Sequence, residues 1–211
     1  MDICLIPARS GSKRLKNKNI ISFFGKPMIS YSIKTAIKCN LFKKIIVSTD
    51  SNKIAKISKK YGAEIPFMRP KKISNDFASD YDVIEHFINY AKAKNLKIRF
   101  LCYLYPVNPL LKISTLKKCK KKIIVTKCKK IVTIGKYSHP VQRALIKDKL
   151  GNIFYKEKNN TNKRSQNLNT LYHDAAQCYW YDLRKIKNIR NVANQTKSIE
   201  LKKFEFLDVD T

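Results

Sequence analysis

No apolar run in the chain reaches the roughly 18 residues that a transmembrane helix needs. The first residues enter a strand-like segment without the basic stretch and apolar core of a secretory leader, which predicts a cytoplasmic protein. Among Cys4, Cys39, Cys102, Cys119, Cys128 and Cys178 there is no Cys-x-x-Cys pair. That spacing speaks against a zinc ribbon or a disulfide frame and predicts reduced core thiols. Acidic side chains are scarce, 15 against 45 basic ones, for a formal charge of +30. Only eight of the cations are Arg, and the lysines are scattered over the whole length together with many Asn and Ile. A compositional bias accounts for this better than a nucleic-acid-binding stripe does, so no nucleic acid or membrane partner is predicted. Repeats, linkers and a second domain are also missing. What remains is a globular composition, 44% hydrophobic in 211 residues, enough for one domain with a sizeable core.

Helix and strand patterns alternate in the first half. Strands are predicted at 2–7, Lys44–Ser48, Ala63–Phe67 and Ile98–Tyr105, and helices from Pro27 to about Asn40, from the Thr49-Asp50-Ser51 cap to Tyr61, and over Ser79–Asn95. Continuous apolar strands between helices imply a parallel sheet covered on both faces, an α/β fold. The second half predicts a helix over Ile113–Lys122, a strand at Ile131–Gly135 and a hairpin of 144–147 with 152–155. It continues with a polar loop over 157–169, a strand at Ala176–Tyr181, a short helix near 182–188 and a last strand at Lys203–Leu207. The stretch from about 136 to 172 reads as an excursion from the sheet, suited to dimer or substrate contacts.

The first apolar strand, Ile3-Cys4-Leu5-Ile6, runs into Pro7-Ala8-Arg9-Ser10-Gly11-Ser12-Lys13-Arg14-Leu15-Lys16-Asn17-Lys18-Asn19. Ligands of open α/β sheets bind just beyond the carboxyl ends of the strands. There, Arg9 offers a planar fork for two phosphate oxygens, Lys13 and Lys18 act as mobile point charges, and Gly11 permits close backbone approach. Charge alone fits a solvated basic loop equally well; the abrupt switch from strand to loop favours a polyphosphate. The loop is neither a Walker A sequence nor Gly-x-Gly-x-x-Gly. In a chain whose default cation is Lys, the arginines mark places that need a planar fork: Arg9, Arg14, Arg69, Arg143 and Arg164.

Residues 6–19 resemble the N-terminal signature of the acylneuraminate cytidylyltransferase family: Ile-Pro-Ala-Arg, a Gly/Ser-rich stretch, Ser-Lys and Lys-Asn. Further matches extend the resemblance along nearly the whole chain. Phe67-Met68-Arg69-Pro70 and Asp76-Phe77-Ala78-Ser79 resemble segments that the family places against the nucleotide, although Ser79 or Asp76 also suits a plain helix cap. Tyr105-Pro106-Val107-Asn108-Pro109-Leu110 stands where sialic acid enzymes usually carry Gln and pseudaminic acid enzymes carry Tyr, and Val107 replaces the family's hydroxyl residue. His139-Pro140-Val141-Gln142-Arg143-Ala144, Arg164-Ser165-Gln166 and Tyr172-His173-Asp174-Ala175-Ala176-Gln177-Cys178-Tyr179-Trp180 are similar to motifs of the pseudaminic acid branch. There Ala176 replaces a Gly, which predicts strain if that position needs positive φ. Asp208-Val209-Asp210 resembles the Asp-x-Asp that binds Mg²⁺ in this family.

The resemblance implies a Rossmann-like, three-layer nucleotidyltransferase fold. It also implies transfer of CMP from CTP to the anomeric hydroxyl of a nonulosonic acid, most closely pseudaminic acid, for cell-surface glycans or flagellin. It carries Arg9, Lys18 and Arg164 over as catalytic, and Arg9, Ser12, Lys13, Lys18, Asn19, Arg69 and Ser79 as CTP-binding. The sugar-binding set is Tyr105, Gln142, Arg143, Arg164, Gln166, His173, Asp174, Gln177 and Tyr179, where His173 is at least as well suited to a structural role. Asp208 and Asp210 are the metal ligands, and a homodimer is expected. N-acetylneuraminic and legionaminic acid are alternative acceptors. An inactive relative, or a basic polyanion-binding protein, is the alternative of another class. Relatives continue with a Pro-Glu-Asp-like segment and a C-terminal helix that this sequence does not contain, which leaves a fragment or a lost helix as the two expectations.

Overall fold

The computed structural model describes residues 1–12, 15–157, 159 and 163–206. At its centre lie β1 (Asp2–Pro7) and β5 (Phe100–Leu104), the two continuous apolar runs of the sequence. Ile3, Cys4, Leu5 and Ile6 are all fully buried, as are Leu101 to Leu104, because both faces of these strands are covered. β4 (Lys44–Ser48) pairs parallel to β1, and β5 pairs parallel to β1 on the other side. Next to β5 runs the long β9 (Tyr172–Asp182), antiparallel to it. Beyond β9 come β6 (Lys130–Lys136) and then β10 (Thr196–Leu201), which is parallel to β6. The six strands therefore lie in the order β10-β6-β9-β5-β1-β4, with β9 alone reversed.

Alternation along the strands feeds two cores. Cys4, Ile6 and Trp180 pack under α1 (Ile29–Lys38), α2 (Asn52–Lys60) and α4 (Ile113–Thr126), through Ile29, Ile33, Ile54, Leu116 and Ile123. Ile3, Leu5, Tyr103, Tyr179 and Tyr181 pack under α3 (Asp80–Ala93) and the segment carrying Ile189 and Val192. Three layers result, as expected. The six cysteines are free and buried, and burial holds the Cys102 thiol well above its ordinary pKa. No helix of the described residues is long and apolar enough to cross a membrane.

Several boundaries differ from the sequence expectation. Pro27 does not open a helix. It ends a small hairpin of β2 (Ser22–Phe23) with β3 (Lys26–Pro27), and α1 begins at Ile29. Phe24 (φ 44°) and Gly25 (φ 72°) give its two-residue loop the positive φ that a type I′ turn needs. The strand expected at Ala63–Phe67 shrinks to one bridge, Ile46 with Glu64. α4 runs on to Thr126, and the helix near 182–188 is a single 3-10 turn, Leu183–Lys185. The last strand lies at Thr196–Leu201, not Lys203–Leu207. As an edge strand it keeps polar residues on one side and buries only Leu201 fully, so its apolar signal is weaker than that of Phe204-Glu205-Phe206.

The hairpin of β7 (Leu145–Lys147) with β8 (Ile153–Tyr155) forms as expected, closed around Asp148, whose carboxylate accepts the N–H groups of Leu150 and Asn152. β9 meets β6 with a register shift between Val132 and Ile134. At this bulge Ala176 takes φ +46°. The position thus demands the left-handed conformation in which Gly is at ease and Ala is strained. Ala176→Gly is expected to raise unfolding stability by up to about 1 kcal/mol, the relieved strain outweighing Gly's entropy. A denaturant midpoint equal to or below that of the wild type would contradict this.

Candidate active site

The parallel strands β1, β4 and β5 all end at one edge of the sheet, and the antiparallel β9 starts there. At the exit of β1, Ala8 donates its N–H to the Ser48 carbonyl (2.9 Å), and the side-chain amide of Asn19 donates to the Arg9 carbonyl (2.8 Å). Asn19 is buried, so it closes the loop on itself and fixes where the Arg9 side chain departs. The Arg9 guanidinium meets Asp76 at 2.7 Å, both a third exposed. Ser10 donates its N–H (2.9 Å) and hydroxyl (2.6 Å) to the Asp50 carboxylate at the end of β4. The N-cap of α2 is Ser51, whose hydroxyl accepts the Ile54 N–H, so Asp50 is left to brace the loop. Ser12 is half-buried, with its N–H donated to the Ser10 carbonyl, and Lys18 opens the 3-10 turn Lys18–Ile20. Lys13 lies outside the described residues.

Burial pushes the Asp50 carboxyl up, but the two bonds from Ser10, its own N–H and the Arg69 charge outweigh that, and its pKa sits below the ordinary 3.8. A depressed carboxyl stabilises the fold above its unfolded pKa, and that stability is lost as pH falls through the folded value. Ser10→Ala removes one bond and lets the folded pKa rise. Acid unfolding, followed by circular dichroism, is then expected at higher pH; an unchanged acid midpoint would contradict the bracing role.

Arg69 lies under this loop. It is 6% exposed, donates Nη2–H to the Ser48 carbonyl (2.8 Å) and leaves its buried Nε without a partner. Burial lowers its pKa, opposed by Tyr103, Asp50 and Asp80. Ser79 caps α3 in a capping box with Asp82. Its hydroxyl donates to the Asp82 carboxylate at 2.8 Å, so the cap expectation describes it.

The β5–β9 side of the edge is walled by tyrosines. Tyr103 donates its hydroxyl to Asp80 (2.7 Å), Tyr105 donates to the same carboxylate, and Tyr179 donates to Asp174. The Tyr103 and Tyr179 rings stack at 6.4 Å, and Tyr105 stands edge-on to each at 5.6 Å. Lys130 lies half-buried beneath, its ammonium 4.7 Å from the Tyr179 ring centre. The backbone of Tyr105 is fixed too: its N–H goes to the Gln177 carbonyl, and its carbonyl accepts from Asn108 and Ser32. Asp174 also accepts the Ala176 N–H (2.8 Å), so its carboxylate holds the bulge as well as Tyr179.

His173 is sandwiched between Tyr137 (5.0 Å) and Phe206 (5.2 Å), a structural placement. Gln177 is buried, donates to the Glu205 carbonyl (2.6 Å) and leaves its own oxygen unpartnered. A Cβ on Gly135 would lie 2.3 Å from the Phe206 ring, so Gly135 lets this tail pack down. The chain thus passes beside Gln177 and His173 just before Asp208 and Asp210, which lie outside the described residues. Among the described residues no group of three or more His, Cys, Asp or Glu is placed to hold a metal ion.

The excursion is set apart. Gln142 donates to the Asn169 carbonyl (2.8 Å), within the excursion, while Arg164 and Gln166 are exposed, one just before and one within the 3-10 turn Ser165–Asn167, and Arg143 is half-buried. Among the described residues, none of these four bonds to the Arg9, Arg69 or Tyr105 clusters. The structure therefore joins Arg9, Ser12, Asn19, Arg69, Ser79, Tyr105, Asp174, Gln177 and Tyr179 along one edge, and among the described residues Gln142, Arg143, Arg164 and Gln166 make no bond to it. Asp50, Asp80, Tyr103 and Lys130 are absent from the sequence-derived site. Of these, only Asp50 carried a local signal, in the Thr49-Asp50-Ser51 cap.

A cytidylyltransferase family model matches residues 3–206, almost the entire chain. The chain belongs to the cytidylyltransferase family. A pseudaminic acid cytidylyltransferase of Campylobacter jejuni is 37% identical over 179 residues, covering 85% of this chain and 77% of the relative. A CMP-N,N'-diacetyllegionaminic acid synthase of Legionella pneumophila is 30% identical and covers 99% of this chain and 90% of the relative. Among solved structures, a CMP:2-keto-3-deoxy-manno-octonic acid synthetase complexed with CTP superposes with a TM-score of 0.68 over 95% of this chain and 89% of that one, at 15% identity. That likeness shows the fold. In this cytidylyltransferase the Arg9 loop lies at the carboxyl end of β1, where open α/β sheets bind their ligands.

Proposed function

We propose that this cytidylyltransferase transfers CMP from CTP to the anomeric hydroxyl of a nonulosonic acid, pseudaminic acid or a close relative, releasing pyrophosphate. The observation that carries this reading is the meeting of two halves at one sheet edge. The Arg9 loop and buried Arg69 supply positive charge, and the partly exposed Tyr105, backed by the buried Tyr103 and Tyr179, stands at the same edge to meet an acceptor. The similarity to the Campylobacter pseudaminic acid enzyme supports the choice of acid.

The sugar hydroxyl attacks the α-phosphorus in line with the departing pyrophosphate: a P–O bond to the sugar forms as the bond to the β-phosphate breaks. Arg9, Lys13 and Lys18 hold the triphosphate, with Ser12 and the loop amides beside them. Asn19 and Asp50 position that loop, and Arg69 adds charge from below. Catalysis is positioning plus electrostatic stabilisation. The hard oxygen donors of Asp208 and Asp210, reached just after the Phe206 anchor, suit Mg²⁺, which when bound supplies charge neutralisation at the phosphates.

Among the described residues Arg143, Arg164, Gln142 and Gln166 make no bond to the edge of their own chain, which favours their serving a second site. Its hairpin exposes Leu145, Ile146, Ile153 and Phe154, each more than half exposed. A lone two-stranded hairpin is marginal in water, and such a patch suits a second copy of the chain. We therefore assign a homodimer in which the excursion of one protomer completes the site of the other. Light scattering tests this: a dimer that Phe154→Asp dissociates supports it, and a monomeric wild type contradicts it. Six buried free thiols fit a reducing, cytoplasmic setting, and we read each chain as a single domain.

The reaction is tested by incubating the protein with CTP, Mg²⁺ and pseudaminic, N-acetylneuraminic or legionaminic acid and measuring pyrophosphate. Highest kcat/KM is expected with pseudaminic acid. Preference for legionaminic acid would move the assignment to that acceptor.

A further inference from the structure

We propose that Asp80 is a positioning residue for acceptor choice: by accepting the hydrogen bond of the Tyr105 O–H, it leaves the Tyr105 oxygen as an acceptor for a donor group on the sugar. This rests on reading the site as a nonulosonate cytidylyltransferase.

Asp80 is the first residue of α3, and the Ser79–Asp82 capping box fixes the turn from which its carboxylate departs. Two phenols converge on that carboxylate. Tyr103 is fully buried and cannot turn away; Tyr105 is the partly exposed member, at the sheet edge. The Tyr105 ring is held edge-on by Tyr103 and Tyr179, and its backbone is bonded to Gln177, Asn108 and Ser32. Tyr179 is itself tied to Asp174. The cations of Arg69 and Lys130 lie close enough to offset the two carboxylates. Burial and the adjacent Asp80 charge push the Tyr105 phenol well up, so it stays protonated.

A phenol has one proton. With that proton committed to Asp80, Tyr105 presents only lone pairs and its ring edge to a ligand. It therefore selects an N–H or O–H, such as an acylamino N–H, at the facing sugar position. It disfavours a bare acceptor there, which would be left unpaired on burial. Without Asp80 the hydroxyl can direct its proton to another acceptor, and this choice weakens.

The experiment compares the wild type with Tyr105→Phe, Asp80→Ala, Asp80→Asn and the double variant Asp80→Ala/Tyr105→Phe, in CTP-dependent pyrophosphate release. Tyr105→Phe and Asp80→Ala are each expected to raise KM for the preferred acid about tenfold, the size of one hydrogen bond, with KM for CTP changed less than about threefold. The double variant is expected to be no worse than either single one, and Asp80→Asn, which keeps an acceptor oxygen, to recover part of the loss. Equal increases in both KM values, additive losses, or a Tyr105→Phe enzyme like the wild type would overturn the proposal. If Asp80→Ala does not fold, Tyr105→Phe against Asp80→Asn carries the test. A wild type that releases no pyrophosphate with any acid overturns the underlying reaction, and is distinct from an active wild type whose variants show no acid-specific effect.

Discussion

Arg9→Ala is expected to lower kcat/KM for CTP by about 10²–10³, the cost of losing one preorganised charge contact to a transferring group. The site explains why this side chain outweighs its many lysine neighbours. Its backbone is held from both sides, by Asn19 on its carbonyl and by the Ala8–Ser48 bond before it. Its fork is already aimed out of the sheet edge, at Asp76. A triphosphate carries several charges, and a single part-exposed carboxylate competes weakly with it. Lys in its place keeps the charge and loses the planar fork, so Arg9→Lys should recover only part of the rate. Stability should change little, because a part-exposed ion pair contributes about 0–1 kcal/mol. Steady-state pyrophosphate release and a thermal melt separate the two quantities. A variant within about threefold of the wild type would contradict the placement of Arg9 on the phosphates.

Arg69→Ala is expected to act on both quantities at once. Arg69 is buried below the loop, bonded to the Ser48 carbonyl and within the field of Asp50, Asp80 and Arg9. Removing this buried cation leaves the buried Ser48 carbonyl without its side-chain donor and the half-buried Asp50 and Asp80 without its charge, which costs about 1–3 kcal/mol. Denaturant unfolding should therefore show a loss of that order. The Arg9 loop, braced by Asp50, loses its support as well, so kcat/KM is expected to fall about 10²-fold even where the protein remains folded, by analogy with removal of one preorganised donor. An Arg69→Met variant fills much of the space without charge, and should be more stable than Arg69→Ala yet no more active. Full activity in Arg69→Met would show that the cation is structural only.

Much of the architecture is legible from short-range pattern. The apolar runs at 3–6 and 100–104 announce two central strands, because a strand covered on both faces has no polar side to show. The Arg9 loop is legible because it follows the first of them; the strain at Ala176 is implied only by the family resemblance, and the φ of +46° supplies its reason. What the sequence hides is set by partners distant in the chain. Thr196–Leu201 reads as polar, yet β6 supplies its hydrogen bonds. Asp80 looks like an ordinary first-turn acid until β5 brings Tyr103 and Tyr105 to it, 23 and 25 positions away. Lys130 is one lysine among many until three tyrosine rings surround its ammonium. Arg143 and Arg164 are the reverse case: their motifs resemble the family's in sequence, yet among the described residues neither bonds to the Arg9 edge.

The most direct test is to supply CTP, Mg²⁺ and pseudaminic acid and to follow both products. Pyrophosphate and a CMP-linked sugar are expected in equal amounts, at a kcat/KM above those for N-acetylneuraminic and legionaminic acid. No pyrophosphate from any of the three, with a folded protein, would contradict the assignment of the Arg9 edge as a CTP-binding catalytic site.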